Sequence, residues 1–471
     1  MEIFCQITKI QTMEQAKSNQ ELINFNPINK AFERAQLYQK IGKISSSKGN
    51  VYEVSLPRAQ IGGKVEFITD AGTSCFGEII ALRGKMCLAM SYEEIPGIDS
   101  ETRVYMRDLS SEISLFDSML GRILDYQGIP IDKKGNLTGP FENRSVFGHP
   151  SNPLERPTIN QPVETGIHSI DFFTTAGTGQ RLAIMSGSGV GKSVLLGMIA
   201  RYTRADVSVI ALVGERGREV LEFIERDLGE EGLKRSVVVV ATSDLSPLIR
   251  MRAAYTATTI AEFFRDKNKN VMLMMDSITR FAMASREIAL AAGEPPGPKG
   301  YTPSVFSRLP KLLERAGTKL NSGSITGMYT VLVEGGDMDE PIADAIRAIS
   351  DGHIILSRQL AQSNHFPAVD ILASISRVMG SVVTKEHKIL ASKIRNLLAA
   401  YHDSIDLINV GAYVKGSSPN VDMAIFLYEK FMLLMKQDVD FYQSYTIDEL
   451  YKKLEDLLHQ AESAVLGKTE K

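Results

Sequence analysis

The spacing of apolar residues changes three times along the chain, and each change predicts a different kind of structure. In the first 38 residues, Ile3, Phe4, Ile7 and Ile10 recur at helical spacing within a polar stretch interrupted by Pro27. This predicts a detachable amphipathic arm over residues 1–38. From Ile41 to Leu109 the pattern shortens to VYEVSL, KVEFI, GEIIAL and KMCLAM, separated by Gly, Ser and Asp turns, which predicts a small β-barrel over residues 39–110. Residues 111–380 begin with turn-rich segments such as DYQGIPIDKKGN and an extended lead-in, PLERPTINQPVETG. Apolar strands then alternate with helical segments: RLAIMSG, VSVIALVG, SVVVVA, NVMLMMDS and SITGMYTVLVEG. That alternation predicts an α/β domain on a mainly parallel sheet. Residues 381–471 carry three long amphipathic stretches and predict a helical C-terminal domain.

The strongest chemical signal is SGSGVGKS, residues 186–193, between the strand RLAIM and the helical run VLLGMIARY. Strand, glycine-rich loop and helix is the context a phosphate-binding loop needs, because its backbone N–H groups and the helix N-terminus face phosphate oxygens. Gly187, Ser188, Gly189, Val190, Gly191, Lys192, Ser193 and Val194 form the expected nucleotide-binding set. Lys192 would reach the β- and γ-phosphates and Ser193 would ligate Mg²⁺. The loop departs from the usual pattern at its first position, where Ser186 replaces glycine. The strand VMLMMD ends at Asp276, the acid expected to organise Mg²⁺ alongside Ser193. Glu215 follows the strand VSVIALV, where open α/β sheets turn toward their ligands. Read alone, it serves a water-orienting role and a surface pair with Arg216 or Arg218 about equally well.

With these residues in place, SGSGVGKS, VGERGREV, DGHIILSR and PAVDILASIS resemble the rotary ATP synthase and type III secretion ATPase superfamily. REIALAAGEPP, KGYTPSVF and LLERAG look more like the flagellar protein-export ATPase than a synthase subunit. The resemblance implies a RecA-like P-loop ATPase core between the barrel and the helical domain. It makes Glu215 the catalytic base, Arg377 an arginine finger reaching a neighbouring subunit, and Phe366 an aromatic that stacks on adenine. It also implies ATP and Mg²⁺ as ligands and a homohexamer that couples hydrolysis to chaperone release, unfolding or delivery of export substrates. The implied partners are a regulatory stator-like protein at the N-terminal arm, export chaperones and substrates, and a membrane export gate. An injectisome ATPase remains the main alternative, with a synthase subunit or a nucleic-acid translocase behind it. Gly336 and Ser350 depart from the superfamily pattern without touching a proposed catalytic position.

Composition narrows the alternatives. Lys and Arg total 53 against 56 Asp and Glu, so the net charge of -3 offers no broad attraction for nucleic acid, and none is expected as a partner. Three cysteines without C-x-x-C spacing fit neither a disulfide framework nor a zinc site. The N-terminus lacks the cationic start and apolar run of a signal peptide, which predicts a cytoplasmic protein; the resemblance implies that it associates peripherally with the inner-membrane export apparatus.

Overall fold

Strict alternation makes the first folded unit. In Val51–Ser55, Tyr52 and Val54 point inward while Val51 and Glu53 are only half covered, and Lys64–Ile68 repeats the pattern with Val65 and Phe67. Six strands close into a barrel in the order Ile41–Lys48, Val51–Ser55, Met86–Ser91, Ser74–Arg83, Lys64–Ile68, Arg103–Asp108. Closure leaves no unpaired edge, and Val54, Val65, Phe67, Ile79 and Val104 fill the interior. The computed structural model describes residues 41–108, 111–333, 337, 339–438 and 445–466. The arm expected over residues 1–38 lies outside the described residues, as does Gly336.

The central unit is a nine-stranded sheet whose strand residues are apolar almost throughout. Val207–Val213 and Ser236–Ala241 are buried at every position, as a parallel sheet covered on both faces requires. Successive side chains serve opposite faces. Val209, Ala211 and Val213 pack with the helix Pro247–Asp266, whereas Ile210 and Leu212 pack with the helix Lys192–Tyr202. From one edge the order is Val369–Ser376, Gly352–Leu356, Arg181–Ser186, Ser324–Leu332, Asn270–Asp276, Val207–Val213, Ser236–Ala241 and Ile123–Leu124, with Gly317–Thr318 appended to Ser324–Leu332. Only Val369–Ser376 and Gly317–Thr318 run antiparallel to their neighbours. Sequence pattern did not mark Ile123–Leu124, a two-residue strand in a turn-rich segment, which Ser236–Ala241 recruits as the far edge.

Barrel and sheet meet through a buried polar contact. Tyr92 Oη donates to Glu78 at 3.3 Å, and the Arg252 guanidinium donates to Tyr92 at 3.3 Å. Burial pushes the Glu78 carboxyl up to about 7, against the pull of Arg252. Three helices, Lys385–Asn409, Pro419–Met435 and Ile447–Leu466, pack around Leu427, Phe431, Leu450 and Leu454, and they close on Phe172 and Phe173 from the segment leading into the sheet. Among the described residues, no helix is long and apolar enough to cross a membrane.

Gly197 fixes how the helix Lys192–Tyr202 sits. A Cβ there would fall 2.5 Å from the Asp227 carbonyl oxygen, a backbone atom that cannot rotate away. Gly197→Ala therefore destabilises the protein by about 1–3 kcal/mol through overpacking, although alanine is the better helix former by about 1 kcal/mol. A urea midpoint at or above that of the parent chain would contradict this packing argument.

Candidate functional site

Strand order decides which loops share a cleft. Arg181–Ser186, Ser324–Leu332, Asn270–Asp276 and Val207–Val213 are consecutive and parallel, so their C-terminal ends open on one side. The first leads into the glycine-rich loop and the helix starting at Lys192, the third ends at Asp276, and the fourth leads to Glu215. The loop depends on backbone freedom. Gly189 and Gly191 hold φ of +78° and +85°, the left-handed region that costs glycine little. Gly191 is also shielded by the Phe366 ring, which lies 3.0 Å from where a Cβ would sit.

These segments line a cleft of about 680 Å³ that includes Gly187, Ser188, Gly189, Gly191, Lys192, Ser193, Val194 and Glu215. Lys192 Nζ contacts Asp276 Oδ1 directly and lies 3.5 Å from Glu215 Oε1. Thr330 Oγ1, on the adjacent strand, donates to the same Asp276 oxygen at 2.8 Å. Burial works against the Lys192 charge, but Asp276 and Glu215 outweigh it, and the ammonium is held above its ordinary range. Glu215 is raised as well, but in its case this disfavours the charged form. Burial and the neighbouring Asp276 charge raise its carboxyl to about 7, against the opposing pull of Lys192.

Not every residue of the expected set faces this space. The Val190 side chain is 3 % exposed and packs with Leu195 and Ile199, so only its backbone is free to meet a phosphate. Phe366 lines an adjoining cavity of about 1120 Å³, shared with Gly189, Gly191 and Val194 and bordered by the C-terminal helices. Arg377 lies elsewhere. It follows the edge strand Val369–Ser376, is exposed, and donates to the Arg347 carbonyl at 3.4 Å. The sequence reading passed over Thr330, Arg280 and Arg358. Thr330 was detectable as a polar residue near the end of an apolar strand, and Arg280 as the residue one helical turn beyond Asp276. Arg358 closes the string DGHIILSR without a chemical role marked by its neighbours, and strand order brings it to the cleft.

Comparison with known proteins places the chain in a family. The sequence model of the ATP synthase alpha/beta family nucleotide-binding domain matches residues 166–376, and that of the T3SS EscN ATPase C-terminal domain matches residues 383–460. The flagellum-specific ATP synthase of Bacillus subtilis is 50% identical over 410 residues, covering 87% of this chain and 93% of that protein. The protein of the same name from Salmonella typhimurium is 49% identical, with 85% and 90% covered. Among solved structures, the assembled ATPase EscN of the enteropathogenic E. coli type III secretion system superposes with a TM-score of 0.83 at 42% identity. It covers 88% of this chain and 100% of that one. EscN in complex with its central stalk EscO gives a TM-score of 0.80 at 43% identity, with 89% and 99% covered. With a glycine-rich loop and the Glu215 carboxylate lining one cleft, and a strand-end acid buried against the loop lysine, in an ATP synthase-type core, the chain belongs to the flagellum-specific ATP synthase family and is an ATPase.

Proposed function

We propose that this ATPase is the motor subunit of flagellar type III protein export, hydrolysing Mg-ATP in a homohexamer whose sites are completed across subunit boundaries. The observation that carries the reading is how its parts are distributed. Lys192 and Glu215 line one cleft and Asp276 is buried against the Lys192 ammonium, whereas Arg377 stands exposed beyond the edge strand, available to a neighbour. The assembled state of EscN supports such a ring.

In this reading the loop amides and Lys192 hold the phosphates, and Phe366 takes the base. Glu215 accepts a proton from water as the water oxygen bonds to the terminal phosphorus. The bond from that phosphorus to the bridging oxygen breaks, and ADP leaves with the electron pair. Arg377 of the next subunit neutralises charge on the transferring group. Ser193 Oγ and the Asp276 carboxylate, itself steadied by Thr330, would hold Mg²⁺. Among the described residues no group of three or more His, Cys, Asp or Glu gathers, which suits an ion held by one or two protein oxygens alongside substrate phosphates. When bound, Mg²⁺ supplies positive charge to those phosphate oxygens.

A carboxyl raised to about 7 sets the acid limb of activity. Below that pH Glu215 is protonated and is no longer a base able to take the water proton, so kcat/KM falls as pH drops through about 7 and levels off above it. A profile flat from about pH 6 to 8 would remove Glu215 from the role of base.

The export role brings a stalk-like partner, such as EscO is for EscN, together with chaperones, cargo and a membrane gate. Purifying the native complex and identifying its components tests this directly: flagellar export proteins support it. The injectisome reading draws on the C-terminal family match and the likeness to EscN, and co-purifying injectisome parts would establish it instead.

A further inference from the structure

We propose that Arg358 reads the terminal phosphate of ATP within its own subunit and is the residue by which the site distinguishes ATP from ADP. The proposal deepens the ATPase reading above and rests on it.

Strand order puts Arg358 in position. Gly352–Leu356 runs parallel to Arg181–Ser186, pairing Ala183 with His353 and Met185 with Ile355, so both strands release their chains at the same end of the sheet. One continues into the phosphate loop. The other continues through Ser357, whose hydroxyl accepts from the Leu360 amide, and delivers Arg358 beside that loop. Arg358 Nη2 lies 3.3 Å from where a Cβ of Gly187 would sit, so the guanidinium covers the loop's opening turn.

The nucleotide's direction follows from the other end of the same segment. Phe366, eight residues on, lies against Gly191 at the loop's close and faces the adjoining cavity. Arg358 instead shares a cleft with Lys192 and Glu215. A nucleotide with its base at Phe366 and its reacting phosphorus near Glu215 therefore presents its last phosphate on the Arg358 side. The segment 358–366 spans the ligand from end to end.

Charge pairing isolates Arg358 further. Arg216 pairs with Glu219 at 3.4 Å, Arg218 with Glu222 at 2.9 Å, and Arg226 with Asp227 at 2.9 Å. Arg280 lays its aliphatic chain over Gly214 and its charge bears on Glu215. Arg358 pairs with no acid among the described residues and is exposed to the cleft. A planar fork of donors without a carboxylate partner suits a phosphate with two free oxygens, and ADP offers none at that position.

The test measures equilibrium binding of ADP and of the slowly hydrolysed analogue AMPPNP to full-length Arg358→Ala, Arg358→Lys and parent chains. The expected result is a loss of about tenfold or more in AMPPNP affinity with ADP affinity within about twofold of the parent, and partial recovery in Arg358→Lys. The retained ADP affinity reports a folded loop. Equal losses for both nucleotides would make Arg358 a structural support of the loop and overturn the proposal, as would no loss for either. Lys192→Ala separates this from the site assignment itself: it weakens both nucleotides if the ATP site is right, and binding unchanged for both would bring down the site and the proposal together.

Discussion

Arg377→Ala lowers ATP turnover about 10³-fold or more while ATP binding and assembly survive, because in the proposed mechanism its charge acts only on the transferring phosphoryl group of another subunit. The geometry gives this outcome its force. Arg377 is exposed at the sheet edge and lines neither the Lys192 cleft nor the Phe366 cavity of its own chain. A monomer accordingly lacks one reacting group, and specific activity rises with protein concentration as rings form. Mixing Arg377→Ala with Lys192→Ala protein provides the sharper measurement. At a boundary where the Lys192 variant donates Arg377 and the Arg377 variant contributes Lys192, one complete site is restored. Activity in the mixture, absent from either variant alone, is the expected result. Mixed oligomers that remain inactive would contradict a finger acting across the boundary.

Glu215→Gln gives the second large effect: ATP still binds, and hydrolysis falls by about 10²–10⁴-fold. The amide keeps the shape of the carboxylate but offers no basic oxygen. It also removes one of the two anions facing Lys192 and leaves Asp276 in contact with the ammonium. Nucleotide affinity is therefore held or slightly improved, and single-turnover measurements separate this from a loss of binding. Hydrolysis within a few-fold of the parent rate would show that another group handles the proton.

Much of this arrangement is legible because its signals are local. SGSGVGKS sits between an apolar strand and a helix, and VMLMMD ends in an acid, so each carries its structural context within a dozen residues. The seven consecutive buried residues of Val207–Val213 likewise announce a parallel strand covered on both faces. What sequence leaves hidden depends on distant partners. Thr330 belongs to the site only because Ser324–Leu332 lies beside Asn270–Asp276, and Arg358 only because Gly352–Leu356 lies beside the loop strand. Ile123–Leu124 is too short to carry any period and becomes a strand through what it pairs with. The six-residue π turn Phe223–Leu228, packed against Gly197, has no periodic signature for a similar reason: contact with a neighbouring helix sets its winding.

The edge strand Val369–Ser376 begins just after Phe366 and ends at the residue before Arg377. It is paired with Gly352–Leu356 at both ends, Val369 and Asp370 on one side and Ile375 and Ser376 on the other, and between them it bulges, with the Asp370 carboxylate accepting from the Leu372 and Ala373 amides. In the proposed reading one short bulged strand joins the base pocket of one subunit to the arginine offered to the next, so filling that pocket would bear on the reach of the arginine serving the following site.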